Sequence, residues 1–136
     1  QGVAGVAGSA RLMPVRIADP NAYAYWSTVA QGLTWASDMG ARVANISYSG
    51  VAGSSTVQSA AQYMRSRGGL VVVAAGNNGI DEGLPQTSTM VVVSATDAND
   101  QKTSWSSSLQ GGHQIPKKSM RRGRFSFCAR RSASSG

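Results

Sequence analysis

Val71-Val72-Val73-Ala74-Ala75-Gly76-Asn77-Asn78-Gly79 is the stretch on which the reading of this chain turns. Five consecutive small or β-branched apolar residues end at a glycine. A run of this kind suits a strand covered on both faces, as in a parallel sheet. Asn77 then falls just beyond the carboxyl end of that strand, where open α/β sheets hold their chemistry. Two readings of Asn77 stay open at this level. A fixed carboxamide there can donate to an oxyanion, and Asn-Gly is also an ordinary turn dipeptide.

Working outward, the neighbouring segments supply the rest of such a sheet. Arg11–Ile17 reads as a strand, with Pro14 removing one ladder donor and favouring an edge or a bulge. Asp19-Pro20-Asn21 is turn chemistry. Between Ala22 and Met39, Tyr25, Val29, Leu33 and Ala36 recur at helical spacing, with Trp26 and Ala30 widening the stripe and Gly40 supplying the stop. Arg42–Ser47 is a second strand. Ser54 or Ser55 caps a second helix with Val57, Ala60, Ala61 and Met64 on its apolar face, ended by Gly68-Gly69. After the Leu70–Ala75 strand comes a loop from Gly83 to Thr89, and Met90–Ala95 reads as another fully buried strand. Thr96–Gln101 is a polar turn, and Thr103–Ser106 is a candidate start of a further strand. Trp26, Trp35, Tyr63, Met64 and Met90 are assigned to the core. Two crossover helices between apolar strands require a parallel sheet with right-handed connections. The fold class is therefore α/β, part of a doubly wound parallel sheet.

Charge divides the chain in two. The 136 residues carry a net charge of +7. Up to Ser108, however, six basic residues (Arg11, Arg16, Arg42, Arg65, Arg67, Lys102) balance six acids (Asp19, Asp38, Asp81, Glu82, Asp97, Asp100). All of the excess lies beyond it, in Lys117, Lys118, Arg121, Arg122, Arg124, Arg130 and Arg131. Residues 109–136 show neither period 2 nor period 3.6. A shifted reading frame is the favoured account of this segment, ahead of a natural basic tail that binds nucleic acid. Cys128 stands alone, so no internal disulfide forms and the redox compartment is not legible. No apolar stretch is long enough to span a membrane as a helix, and no charged-then-apolar signal opens the chain.

Several strings, taken together and in order, resemble the central part of a subtilisin-like serine protease, the subtilase family. Gly5-Val6-Ala7 and Ala10–Arg16 are similar to the strand entered after the helix of the catalytic histidine. Gly32-Leu33-Thr34-Trp35-Ala36 and Gly40–Ser47 resemble the next helix and strand, and Val71–Asn77 the strand that delivers the oxyanion asparagine. Val93–Asp97 and Ser104-Trp105-Ser106-Ser107 match the segment beyond, so the resemblance runs from Gly2 to about Ser107.

The resemblance implies a three-layer α/β/α fold and serine endopeptidase chemistry. It assigns Asn77 to the oxyanion hole. Ser47, Tyr48, Ser49 and Gly50 become the strand that pairs with substrate backbone, and Ala74, Ala75 and Gly76 the opposite wall of the groove. Tyr48 stands where the family favours Leu and is expected to reshape an outer apolar pocket. Leu84-Pro85 is a candidate cis bond. The Asp, His and Ser of the triad are expected outside the matching stretch, so the chain as given is expected to be inactive. Residues 1–108 are read as part of a subtilase catalytic domain and 109–136 as a basic segment unrelated to it.

No cofactor is expected and no metal ligands are assigned. Calcium is left to the complete family member, on loops mostly outside this stretch. The expected partner is a peptide or protein substrate, not a membrane or a nucleic acid, and the location implied is extracellular. His113, the single histidine, lies in the departing segment and is not assigned as a base. Asp19 is read as a turn former, Asp38 as part of a solvated helix face, and Ser106 and Ser107 as loop residues with no base nearby. The alternative is a non-catalytic α/β binding module with a nucleic-acid-binding tail. A nucleotide-binding half-domain would need a Gly-x-Gly-x-x-Gly turn between strand and helix, and the sequence contains none. With parallel strands needing cover on both faces, the isolated chain is expected to be marginally stable.

Overall fold

The structure, a computed structural model, describes residues 9–83, 87–99 and 101–108. The glycine-rich entry at 2–8, the Leu84-Pro85 bond, Asp100, and all of 109–136 with His113 and Cys128 lie outside the described residues.

Among the described residues, two α-helices and three strands follow in the order α1 (Trp26–Asp38), β1 (Val43–Ile46), α2 (Ser55–Ser66), β2 (Leu70–Ala74) and β3 (Val91–Val93). The strands form one parallel sheet in the order β1-β2-β3. Both helices end in the same way. Past α1, Gly40 at φ +87° returns its N–H to Ser37, while Ala41 N–H reaches Ala36. Past α2, Gly68 at φ +78° bonds Arg65 and Gly69 bonds Met64. These paired bonds satisfy carbonyls that a helix end otherwise leaves open. Ser54, rather than Ser55, caps α2, its hydroxyl accepting from Val57 N–H at 3.4 Å.

The core lies on one face of the sheet. Register pairs Val71 with Ala44 and Val73 with Ile46 and Val92, and partners in a parallel ladder share a face. That face, with Met90, meets Val29 and Leu33 of α1 and Val57, Ala60, Ala61 and Met64 of α2 in a single apolar cluster. A fastener at the helix ends complements it. Tyr63 donates its hydroxyl to Asp38 at 2.7 Å, and Arg67 lies 3.9 Å from the same carboxylate and over the Tyr63 ring. The hydrogen bond to Asp38 raises the Tyr63 phenol above its ordinary value. Asp38 thus joins two helices rather than only facing solvent.

Several expectations are corrected. The opposite sheet face, with Val43, Asn45, Leu70 and Val91, is exposed, so β2 is covered on one side among the described residues. Only the face bearing Met90 and Val92 packs on the helices, so β3 is not fully buried and spans three residues. Among the described residues Arg11–Ile17 joins no ladder. It instead lays Val15 and Ile17 against α1 at Gly32, where an added Cβ would come within 2.8 Å of Ile17. Thr103–Ser106 forms a turn rather than a strand. Trp26, Trp35 and Tyr63 are each more than a third exposed, as is Tyr25 at the helix entry, because the sheet lies only beneath the Val29–Leu33 side of the helix. Met64 and Met90 are buried, as expected.

Met64 is fully buried among α2, β2 and the Gly69 turn, which approaches its side chain closely. Met64→Ala is expected to lower unfolding free energy by about 2–5 kcal/mol in urea titration, the range for a large-to-small change in a site that cannot collapse.

Candidate functional site at the carboxyl ends of β1 and β2

Because β1 and β2 are parallel and paired from Val43–Leu70 to Ile46–Val73, both chains leave the sheet at nearly the same level. The segments that follow, Ser47–Gly50 and Ala75–Gly79, are therefore neighbours. Ala74 ends β2, and Ala75 is buried with its N–H donated to Val93 at 3.0 Å. Gly76 is buried at φ +109°, a backbone state that disfavours any Cβ. A Cβ there would also sit 3.2 Å from Ser107 Oγ and 3.5 Å from Ser49 Oγ. Gly76 is thus the point at which three segments converge. Asn77 follows it, half-buried, and among the described residues no hydrogen bond engages its carboxamide. A donor free of local partners, on a fixed backbone, is what stabilisation of developing negative charge requires.

The other assigned residues form the facing side. Ser47 is exposed and its hydroxyl accepts from Asn45 Nδ2 at 3.1 Å. Tyr48 is half-buried, and its hydroxyl donates to Ala22 O at 3.0 Å. Ala22 holds an unusual φ of +66° at the end of the turn that Asp19 organises by accepting from Asn21 and Tyr23 N–H. Gly50 takes φ +76° beneath the Trp26 ring, which is 3.6 Å from where its Cβ would be. The structure thus brings Ser49 close to Gly76, and ties Tyr48 and Gly50 back to the α1 entry.

Sequence reading missed the part played by Thr103–Ser108. This segment crosses the β2 loop as an arch. Ser107 N–H donates to Gly76 O, Gly79 N–H to Trp105 O, and Ser108 N–H to Ile80 O, each at 2.9–3.0 Å. Ser107 Oγ accepts from Asn78 N–H at 3.2 Å. The arch is itself anchored: Ser106 Oγ accepts from Ala95 N–H, Ser94 Oγ donates to Ser107 O, and Lys102 Nζ donates to Ser106 O. Ser106 and Ser107 are both buried. Two adjacent serines carry no periodic signal, and their partners lie 11 to 29 residues away. A shallow concavity of about 680 Å³ lies between the outer faces of α1 and α2. None of its lining residues belongs to the loops after β1 and β2, so it is not this site.

Comparison with known proteins gives the family. The family model described as the subtilase family, peptidase S8, matches residues 1–118. This chain belongs to the subtilase family. Thermitase of Thermoactinomyces vulgaris is 40% identical over 107 residues, covering 77% of this chain and 38% of thermitase. Subtilisin Savinase of Lederbergia lenta is 39% identical over 107 residues, covering 77% and 40%. A solved protease structure from Pseudoalteromonas arctica superposes with a TM-score of 0.64 at 30% identity, covering 79% of this chain and 36% of that one. The chain therefore spans about two fifths of the length of these two relatives. The α/β fold with its parallel sheet is the subtilase arrangement.

The arch leaves no space at Gly79, which is at φ +71° with Ser104 O pressed against the position of its missing Cβ. Gly40 has a similar φ of +87° with nothing within 4 Å. Gly40→Ala is expected to lose about 1–2 kcal/mol from the left-handed backbone alone. Gly79→Ala should lose clearly more, read as the larger drop in urea midpoint.

Proposed function

We propose that this chain is the central segment of a serine endopeptidase, in which Asn77 is an oxyanion donor and Ser47–Gly50 faces Ala74–Gly76 across the substrate groove. The observation that carries the reading is the convergence of the β1 and β2 ends at Gly76, which holds the next residue at the rim of the sheet. Extended substrate backbone offers the same donors and acceptors whatever its sequence, so the Ser47–Gly50 segment, exposed except at Tyr48, suits a general peptide or protein substrate. Asn77 would meet the oxygen that becomes negative when the scissile carbonyl turns tetrahedral, and its amide needs no reorganisation to do so. The proposed chemistry draws on no cofactor. The complete enzyme acts on proteins outside the cell, as the family resemblance implies.

The chain's single histidine is His113, and among the described residues no serine hydroxyl is hydrogen-bonded to a titratable side chain, so the 136-residue chain alone is expected to show no turnover. A chimera tests the assignment: thermitase with its matched 107 residues replaced by those of this chain. Peptide hydrolysis by the chimera is expected, and Asn77→Ala should lower kcat about 10²–10³-fold with KM nearly unchanged, a magnitude established on subtilisin itself. An active chimera in which Asn77→Ala leaves kcat intact overturns the proposal.

A further inference from the structure

We infer that Ser107 is a positioning residue for Asn77, acting through the two peptide groups that flank it. The inference rests on the proposed oxyanion role and adds a residue to it. Asn77 lies between the carbonyl of Gly76 and the N–H of Asn78. Ser107 holds both: its N–H donates to Gly76 O at 3.0 Å, and its hydroxyl accepts from Asn78 N–H at 3.2 Å. One fully buried residue thus fixes the planes on either side of the Asn77 Cα, and with them the direction in which the carboxamide leaves the backbone.

The residue type is dictated by the space available. Ser107 Cβ and Oγ lie 3.4 and 3.2 Å from the position that a Gly76 Cβ would take, so there is little room for a larger side chain at either residue. A small side chain with an acceptor oxygen satisfies both demands. Ser107 is in turn held by its own carbonyl, which accepts from Ser94 Oγ at 2.9 Å and Ser106 Oγ at 3.2 Å. Ser106 is buried in the same arch, but its hydroxyl accepts from Ala95 N–H, donates only to the Ser107 carbonyl that Ser94 also holds at a shorter distance, and bonds neither peptide flanking Asn77. The pair therefore separates positioning from simple burial. Misplacing a reacting group by about 1 Å lowers rates by about 10²-fold, so a hydroxyl that only orients another residue has kinetic consequences.

The first measurement uses the full chain and does not depend on catalysis. Amide hydrogen exchange should show Asn78 N–H protected, and Ser107→Ala should speed its exchange about tenfold or more while α2 amides are unchanged. Ser106→Ala should leave Asn78 protected. An unprotected Asn78 amide in the unsubstituted chain, or one indifferent to Ser107→Ala, overturns the inference. The second measurement is a double-substitution cycle in the thermitase chimera. Ser107→Ala is expected to lower kcat between about tenfold and 10²-fold with KM within about twofold. In the Asn77→Ala background the same change should alter kcat less than about twofold, because its effect passes through Asn77. Equal losses in both backgrounds, or equal kcat losses from Ser106→Ala, identify a structural role and overturn it. If Asn77→Ala itself leaves kcat intact, the oxyanion reading fails instead, whatever the exchange data show about Ser107.

Discussion

The parallel pairing of β1 with β2, in register from Val43–Leu70 to Ile46–Val73, is the constraint on which the rest of the molecule depends. Parallel strands leave a sheet on the same side, so their succeeding loops become neighbours without any contact designed for that purpose. A slip of one residue between the strands would turn either Ile46 or Val73 away from the helices and expose it. The apolar cluster formed with Val29, Leu33, Val57 and Met64 therefore sets the register, and the register sets where Gly76 emerges. Core packing and site geometry are one problem in this chain.

Beyond the strand ends, polar contacts rather than apolar ones hold the chain in place. The loop at Ala75–Gly79 contributes almost no hydrophobic surface, and its conformation includes two glycines at positive φ. Such a loop left in water would sample many states. The Thr103–Ser108 arch restricts it by taking up Gly76 O and the N–H groups of Asn78 and Gly79. These backbone groups would each carry a desolvation penalty if buried unpaired, which makes the arch and the loop mutually dependent. Within this frame, among the described residues, no hydrogen bond engages the Asn77 carboxamide.

Legibility from sequence tracked the range of the interaction. The apolar face of α2, the glycine stops after both helices and the valine strand were all readable, because each is decided within one or two turns of chain. The Arg11–Ile17 strand was misread because alternation of apolar residues records a local preference, whereas a ladder needs a partner edge. The exposed Trp26, Trp35 and Tyr63 were misread because helical spacing places residues on a stripe without saying how wide the facing surface is. At the site, Asn77 and Gly76 were visible as a strand end. Ser106 and Ser107 were not, since hydrogen bonds formed across 11 to 29 residues leave no periodic trace.

The sequence by itself determined the alternation of strand and helix, the capping residues, the charge-neutral body up to Ser108 and the position of an amide after a buried strand. These depend on backbone preference and on periodicity, which neighbouring residues express without help. The tertiary structure alone decided which sheet face is covered, that Asp38 joins two helices, and that Ser107 braces Gly76. Those outcomes depend on which distant groups arrive at the same place, and desolvated polar groups must find partners wherever the fold delivers them.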